Sequence, residues 1–384
     1  MGWDPYDGLN SKVFQALPFF KDSALCRLVV IQGFKRCPFN LRRIAMVPKQ
    51  HNAKGIGLFL NGYCNLYHAV TECPALEKEL GTLQEIEKQI NGLTELLISM
   101  QSKGYSGACW GYNFDWQARR LFLFPRYTPT VVATNFCATA LMEAYEVTKN
   151  KKYLDIALTA ANFVIKDLYR TPYEGGFLFS YSPLEGNDTV FNASLLGSRL
   201  LSFCYHYTKN EEYKRLAELS VKACCAGQKE NGAWVYGMLP VQSWVDSFHT
   251  GYNLDGLIAY QELTGDTKYG RYIENGFKYY IENFFEQDGT PKYYDNQTYP
   301  IDIHCPGQLL VTLSRLHRHN EYKEIADKVL QWIISNMQDS RGYFYYQLKK
   351  GISSKIPYMR WSNAFMFNAM SCYILSVCKT IELN

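Results

Sequence analysis

A chain of 384 residues, 47% of them hydrophobic and 20% charged, can bury a large core, which excludes a disordered or fibrous class. The net charge is +4, with no basic tract threaded by aromatics, so a nucleic-acid partner is not expected. The longest apolar stretch near the N-terminus, around Leu28 to Phe34, is too short to span a bilayer, so no transmembrane segment is expected.

The opening Met1-Gly2-Trp3-Asp4-Pro5-Tyr6-Asp7 has neither a basic nor an apolar leader region, so no secretory signal is expected. Most of the twelve cysteines sit singly in apolar helical patterns, as at Cys137, Cys204, Cys372 and Cys378. A reduced cysteine there behaves as a small hydrophobe. Both features predict a reducing cytoplasm.

Residues 11–33 read as apolar and helical, followed by an irregular basic connector from Lys35 to His51. From Ile56 onward, segments of two kinds alternate. Inner segments, apolar or small on most sides, run near Ile56–Tyr67, Val132–Val147, Phe191–Tyr207, Phe248–Leu263, Ile303–His317 and Ser362–Cys378. Outer segments with one charged face run near Gly81–Ser102, Lys151–Leu168, Glu211–Gln228, Thr267–Phe285 and Glu321–Gln338. A helix hydrophobic all round is buried, and an amphipathic one lies outside it.

The alternation has a period. Asn135, Asn192, His249, His304 and Asn363 open successive inner segments as candidate caps, 57, 57, 55 and 59 residues apart. Such a repeat signals stacked units that bury one another's faces, hence one domain over residues 1–384. Six inner segments and five outer ones leave one vacancy. The N-terminal segment, residues 1–52, is expected to fill it and close the ring. The expected fold is all-α, a closed ring of helix pairs.

Turns from inner to outer segments share a pattern: Thr148-Lys149-Asn150, Thr208-Lys209-Asn210 and Thr264-Gly265-Asp266. The Asn or Asp suits a cap, and the Tyr three residues later suits packing on the first turn. Turns from outer to inner segments are aromatic: Trp110–Trp116, Gly175–Tyr181, Gly232–Tyr236, Lys292–Tyr294 and Gly342–Tyr346. All of these loops therefore lie where the inner helices begin. Unsatisfied N–H groups and positive dipole ends converge there, favouring oxygen-rich or anionic ligands. Arg119, Arg120 and Arg360 reinforce that bias.

Four segments of this layer carry candidate chemistry. Asp115, between Phe114 and Trp116, suits a general acid of raised pKa or a loop-ordering partner of Arg119 or Arg120. Asp246 suits a helix cap, and His249 three residues on suits an imidazole oriented by that carboxylate. Asp302 and His304 hold nearly the same phase in the next repeat, with Pro306 at a first-turn position. Asp302, His304 and Cys305 resemble zinc ligands, but the spacing is tight and no Cys-x-x-Cys accompanies them, so no metal is assigned. Arg360 beside Trp361 suits a carboxylate clamp against a sugar face.

The candidate catalytic set is thus Asp115, Asp246, His249, Asp302 and His304. Tyr112, Trp116, Trp234, Trp244, Tyr293 and Trp361 are the expected stacking walls. Gln117, Arg119, Tyr252, Gln308 and Arg360 are the expected polar contacts to substrate. No Gly-rich phosphate loop, Gly-x-Ser-x-Gly elbow or His-Glu-x-x-His occurs, and no cofactor is assigned.

The helix-pair repeat with its Gly-x-Trp/Phe-x-Tyr loops resembles the (α/α)6-toroid carbohydrate-active superfamily. That group contains unsaturated glucuronyl hydrolases, N-acylglucosamine 2-epimerases, polysaccharide lyases and glucuronyl C5-epimerases. The segments Asp4–Asn10, Trp110–Gln117, Phe179–Pro183 and Tyr299–His304 further resemble a family associated with bacterial surface-polysaccharide gene clusters. Neither the paired Asp of the hydrolases nor the paired His of the 2-epimerases is matched, so no residue role is carried over.

The resemblance implies an enzyme acting by acid/base chemistry on an acidic glycan or its lipid- or nucleotide-linked precursor. In a hydrolase, two of Asp115, Asp246 and Asp302 would be acid and base, about 6.5–9.5 Å apart for inversion and about 5 Å for retention. In an epimerase, His249 and His304 would exchange protons on opposite faces of the sugar. A non-catalytic glycan-binding toroid and an isoprenoid-cyclase-like toroid are the alternatives. The latter needs an apolar, carboxylate-poor cavity, which Asp115, Asp246 and the histidines oppose.

Overall fold

The computed structural model describes residues 1–117 and 123–381. The N-terminal segment holds two helices, α1 (Lys12–Ala16) and α2 (Ala24–Arg36). Then α3 (Ala53–Glu72) leads through the short α4 (Glu77–Leu80) to α5 (Leu83–Ser99). The pairs α6 (Val131–Thr148) with α7 (Lys151–Asn162), and α8 (Phe191–Thr208) with α9 (Glu211–Ala226), follow. Next come α10 (Ser247–Thr264) with α11 (Gly270–Phe284), and α12 (His304–Arg315) with α13 (Lys323–Met337), before the closing α14 (Phe365–Ile381).

The even-numbered helices from α6 to α14, together with α3, form the inner ring: each packs on its inner neighbours, and α14 meets α3 to close the circle. One continuous apolar cluster fills the space between inner and outer helices. Small residues set the inner spacing. A Cβ on Gly251 would lie 2.4 Å from Gln308 Cγ, so α10 and α12 approach as closely as they do because position 251 has no side chain.

Caps decide where the helices begin. Asn150 and Asn210 accept from the amides of Lys152 and Glu212, at 3.1 and 3.0 Å, as the turn pattern predicts. Asp266 accepts from the Lys268 amide at 3.1 Å, ordering the turn ahead of α11. At the inner starts, two of the in-phase residues lie inside the helix rather than at its cap. Thr130 and Asp246 cap α6 and α10 through the amides of Ala133 and His249, so His249 falls in the first turn and Asn135 in the second. A side chain there is free to point into the ring rather than back onto the backbone.

Three antiparallel two-stranded ribbons order the loop layer: β1 (Trp116–Gln117) with β2 (Leu123–Phe124), β3 (Arg170–Tyr173) with β4 (Gly176–Phe179), and β5 (Ile301–Asp302) with β6 (Gln347–Leu348). In the last, Asp302 pairs with Gln347, tying the loops before α12 and α14 together.

The N-terminal segment does not take the sixth outer position expected for residues 11–33. It lies across the loop layer, with α2 on β1 and on the single turn Asp7–Asn10. The reason is the apolar pattern: the fully buried residue of α2 is Ile31, in a small cluster with Leu9 and Phe14 that packs on Tyr6, Trp116 and Leu123. No stripe is left on α2 to cover the seam of α3 and α14.

Candidate active site

Site geometry begins at the cap of α10. Asp246 is buried, and both its oxygens are engaged: Oδ1 takes the His249 amide at 3.0 Å, and Oδ2 takes Trp244 Nε1 at 2.9 Å and His249 Nδ1 at 2.7 Å. The carboxylate thus fixes the imidazole and directs Nε2 away from itself. The ring retains 20% side-chain exposure, whereas the Asp246 side chain has none. Trp244 is held in turn by stacking on Tyr236 at 4.5 Å.

His304, the first residue of α12, is a contrast. It is buried, its Nε2 lies 2.7 Å from the Tyr252 hydroxyl, and its Nδ1 has no partner. The same hydroxyl accepts from Lys54 Nζ at 3.1 Å. Burial first, then the charges of Lys54 and Arg360, hold the His304 pKa well below the usual imidazole range, so the ring is neutral. Burial and the Arg360 charge likewise lower the Lys54 amine well below the ordinary lysine value. Its ammonium lies 4.2 Å from the Phe136 ring centroid and meets no carboxylate within ion-pair distance among the described residues.

Phe248 joins the two histidines: its ring centroid is 4.0 Å from that of His249 and 4.6 Å from that of His304. Asp302 lies on the far side of His304. Its Oδ1 accepts from Trp361 Nε1 at 2.7 Å and from the His304 amide at 3.1 Å, and Gln347 Nε2 stands 3.3 Å from Oδ2. Burial pushes its pKa up to about 6 against these hydrogen bonds.

A cover lies over the cluster. Asp4 receives Arg360 through Nε at 2.5 Å and Nη2 at 2.7 Å, both partners buried. Arg42 donates to Asp7 at 2.6 Å, to the Tyr358 hydroxyl at 2.9 Å and to the Asp4 carbonyl at 2.8 Å. Tyr6 sits 5.6 Å from Trp361 and 6.5 Å from Trp116, centroid to centroid. The aromatic walls and the first residues of the chain therefore meet face to face.

Of the residues expected from sequence, Asp246, His249, Tyr252, Asp302, His304, Trp244, Tyr293 and Trp361 come together around Phe248. Tyr112 stacks on Phe114 at 5.4 Å, with the Arg360 guanidinium 4.9 Å from its ring. Arg360 is thus occupied by Asp4 rather than presented as a free carboxylate clamp. Trp116 stacks on Phe124 at 4.7 Å, and Gln117 accepts from Arg27 at 3.0 Å. Arg119 lies outside the described residues.

Three expected residues stand apart. Asp115 accepts the Arg126 amide at 2.8 Å, which ties the residue before β1 to the chain just after β2. Trp234 is in the core between outer helices, donating to the Cys224 carbonyl at 2.9 Å against Gly276, much as Trp110 donates to Leu97 at 2.8 Å. Gln308 lies deeper, bonded to Asp255 and Thr312 at 3.0 and 2.9 Å. Sequence reasoning missed Lys54, Asp4, Arg42 and Tyr6. A charge among the Ala, Gly, Ile and Leu of the opening turns of an inner helix, residues 53–58, was the available signal for Lys54.

Below Gln308 the shaft changes character. Arg199 donates to Asn135 and Thr139 at 3.1 and 3.3 Å, and Arg315 Nε lies 3.4 Å from Asp255. A cavity of about 440 Å³ opens there among all six inner helices, at the end away from His249 and His304.

A ring of inner and outer helices with its loops gathered at the inner N-termini is the (α/α)6-toroid arrangement, and solved structures share it. A cellobiose 2-epimerase from Bacillus thermoamylovorans is 14% identical, with a TM-score of 0.64 over 87% of this chain and 90% of that one. An α-mannanase of Bacteroides thetaiotaomicron is 13% identical, with a TM-score of 0.59 over 85% and 88%. A polysaccharide lyase is 14% identical, with a TM-score of 0.56 over 85% and 90%. In sequence, the model of Glycosyl Hydrolase Family 88 matches residues 247–378, from the start of α10 into α14. Among curated protein sequences none matches the chain. These likenesses show the (α/α)6-toroid fold, and the family 88 match spans about a third of the chain.

Proposed function

We propose that the protein epimerises or isomerises a sugar by moving a proton at a carbon next to a carbonyl, with His249 and His304 as the proton-transfer pair. The observation that carries this reading is the asymmetric pair around Phe248: one imidazole open and carboxylate-oriented, the other buried and neutral. Neutral His304 takes the proton through the Tyr252 hydroxyl, whose own proton moves to Nε2 as its oxygen receives the one from carbon, and the C–H electron pair passes to the carbonyl oxygen. Protonated His249 returns a proton from Nε2 on the opposite face, which completes inversion, and solvent resets both groups. Lys54 suits the developing oxyanion or a substrate carboxylate, which favours an acidic sugar or glycan precursor. With the cysteine-based expectation of a reducing compartment, the reading places the enzyme in the cytoplasm.

A second reading, hydrolysis, rests on Asp302, whose raised pKa suits a general acid, and on the family 88 match. Its weakness is the partner: Asp246 is committed to His249 and Trp244, and Asp115 to the Arg126 amide.

The test is proton NMR in deuterium oxide with reducing sugars and uronic acids, wild type beside His249→Ala. Deuterium uptake at one carbon without chain cleavage, lost in the variant, is expected. Cleavage without exchange would replace this reading with hydrolysis, and binding without either would make the toroid a glycan-binding protein.

A further inference from the structure

The N-terminal segment covers the site with one face and shows solvent an unusual other face. Of the nineteen large hydrophobic side chains that stand exposed among the described residues, eleven belong to residues 1–46. They include Phe19, 84% exposed, and Ile44, 79% exposed, with Phe20 and Phe39 beside them in the chain order. On α2, Leu25 and Val29 are exposed one turn apart, on the side away from buried Ile31. Scattered apolar side chains are ordinary on a surface; such a concentration is not.

The same stretch is strongly basic. Between Ser11 and Gln50 there are eight Lys and Arg and one Asp, whereas the other 344 residues sum to −3. Of the eight, Arg42 is buried on Asp7, Arg27 donates to Gln117 and the Lys21 carbonyl, and Lys35 donates to Tyr6. Lys12, Lys21, Arg36, Arg43 and Lys49 are exposed and pair with no carboxylate among the described residues.

Hydrogen bonds tie these pieces in two pairs along one continuous stretch of chain. Ser11 Oγ donates to the Ala45 carbonyl at 2.6 Å and the Lys12 amide to Met46, which sets α1 beside the 41–46 turn. Arg27 reaches the Lys21 carbonyl at 2.9 Å, which sets the Phe19–Phe20 turn beside α2. The result is a set of projecting aromatic and aliphatic tips among unpaired cations.

We propose that this surface docks on an anionic lipid bilayer. Projecting tips suit the soft boundary between headgroups and acyl chains, and unpaired cations suit anionic headgroups. Charge is what selects this occupant over a second copy of the chain, which would bring the same positive face against itself. The inference is independent of the reaction at the site. Because Tyr6, in the same segment, lies against Trp116 and Trp361, docking brings the covered mouth to the membrane surface.

The test is cosedimentation of the full chain with vesicles of pure phosphatidylcholine, or of phosphatidylcholine with about a third phosphatidylglycerol. Partition into the anionic vesicles is expected to be at least ~10-fold stronger and to weaken as salt rises. Phe19→Ser with Phe20→Ser, and separately Lys21→Glu with Arg43→Glu, are expected to lose most of it with unchanged melting temperature, since all four residues are exposed. Equal partition into both vesicles, no partition at all, or full binding by both variants would overturn the proposal. So would a wild-type dimer in solution that the Phe19→Ser, Phe20→Ser variant dissolves, which would make the face a self-interface.

Discussion

The two ends of the helical ring are built from the same six helices and differ in nearly every other respect. At the end where the inner helices begin, N–H groups converge, aromatic loops crowd the axis, and the first residues of the chain close over two histidines. At the other end, C-terminal carbonyls converge and an open cavity is lined by Arg199, Asp255 and Arg315. Open space is thus found beside the Arg315–Asp255 pair, where Arg199 Nε has no partner either, whereas His304 Nδ1 and Lys54 lie under a cover. The proposed reaction uses the covered end, which cavity volume alone would not choose.

Paired substitutions can break this comparison. The largest contrast is expected between His249→Ala and Asp255→Leu. The first should lower turnover by about 10²–10⁴ and leave the melting temperature nearly unchanged. The second strands the Arg199 and Arg315 charges in the shaft and should lower stability by roughly 3–5 kcal/mol, with turnover per folded molecule retained. Assays beside thermal melts decide it, and a dead but folded Asp255→Leu protein would extend the site through the whole shaft.

A comparable loss of stability, again about 3–5 kcal/mol, is expected for Asp4→Ala, because Arg360 is left charged and buried. Adding Arg360→Met should restore most of it. If the single variant melts like wild type, the N-terminal cover is not held by this pair.

The smallest effect is a pH dependence. Asp302 titrates near 6 in the folded protein, against about 3.9 for an unfolded aspartate. Between these values the native state binds the extra proton, so the Asp302 contribution to stability is present below the window and falls as pH rises through it. Wild type should therefore lose roughly 2–3 kcal/mol relative to Asp302→Asn between about pH 4 and pH 7. Denaturant melts of both proteins across that range give the difference directly, and a flat difference means an ordinary Asp302.

The ring was legible because its signal is local and repeated. Capping turns such as Asn150 and Asn210, inner segments rich in small residues and loops rich in aromatics recur at a fixed step, and each is a consequence of short-range geometry. The Asp246–His249 contact was legible for the same reason, since three residues at a helix start place the carboxylate over the ring. Asp4 with Arg360, separated by 356 positions, was not. Nor was the shared hydroxyl of Tyr252 between Lys54 and His304, which requires three different inner helices to converge. The placement of residues 1–52 also escaped, because apolar content marks a helix for burial without saying against what. Trp234 misled by its phase: the loop position matches the others, but the indole turns outward to cap a carbonyl of α9.

The distribution of thiols gives the protein a native reporter. Nine of the twelve cysteines are buried, and the three partly exposed ones are Cys26, Cys37 and Cys73. Cys26 lies within α2 and Cys37 directly after it, on the segment that both covers the mouth and faces outward. Burial raises the pKa of thiols such as Cys64 and Cys137 well above the usual value, which keeps them protonated and slow to alkylate. A maleimide fluorophore added briefly at neutral pH should therefore favour Cys26, Cys37 and Cys73, two of the three on the N-terminal cover, turning movements of that segment into changes of colour or brightness.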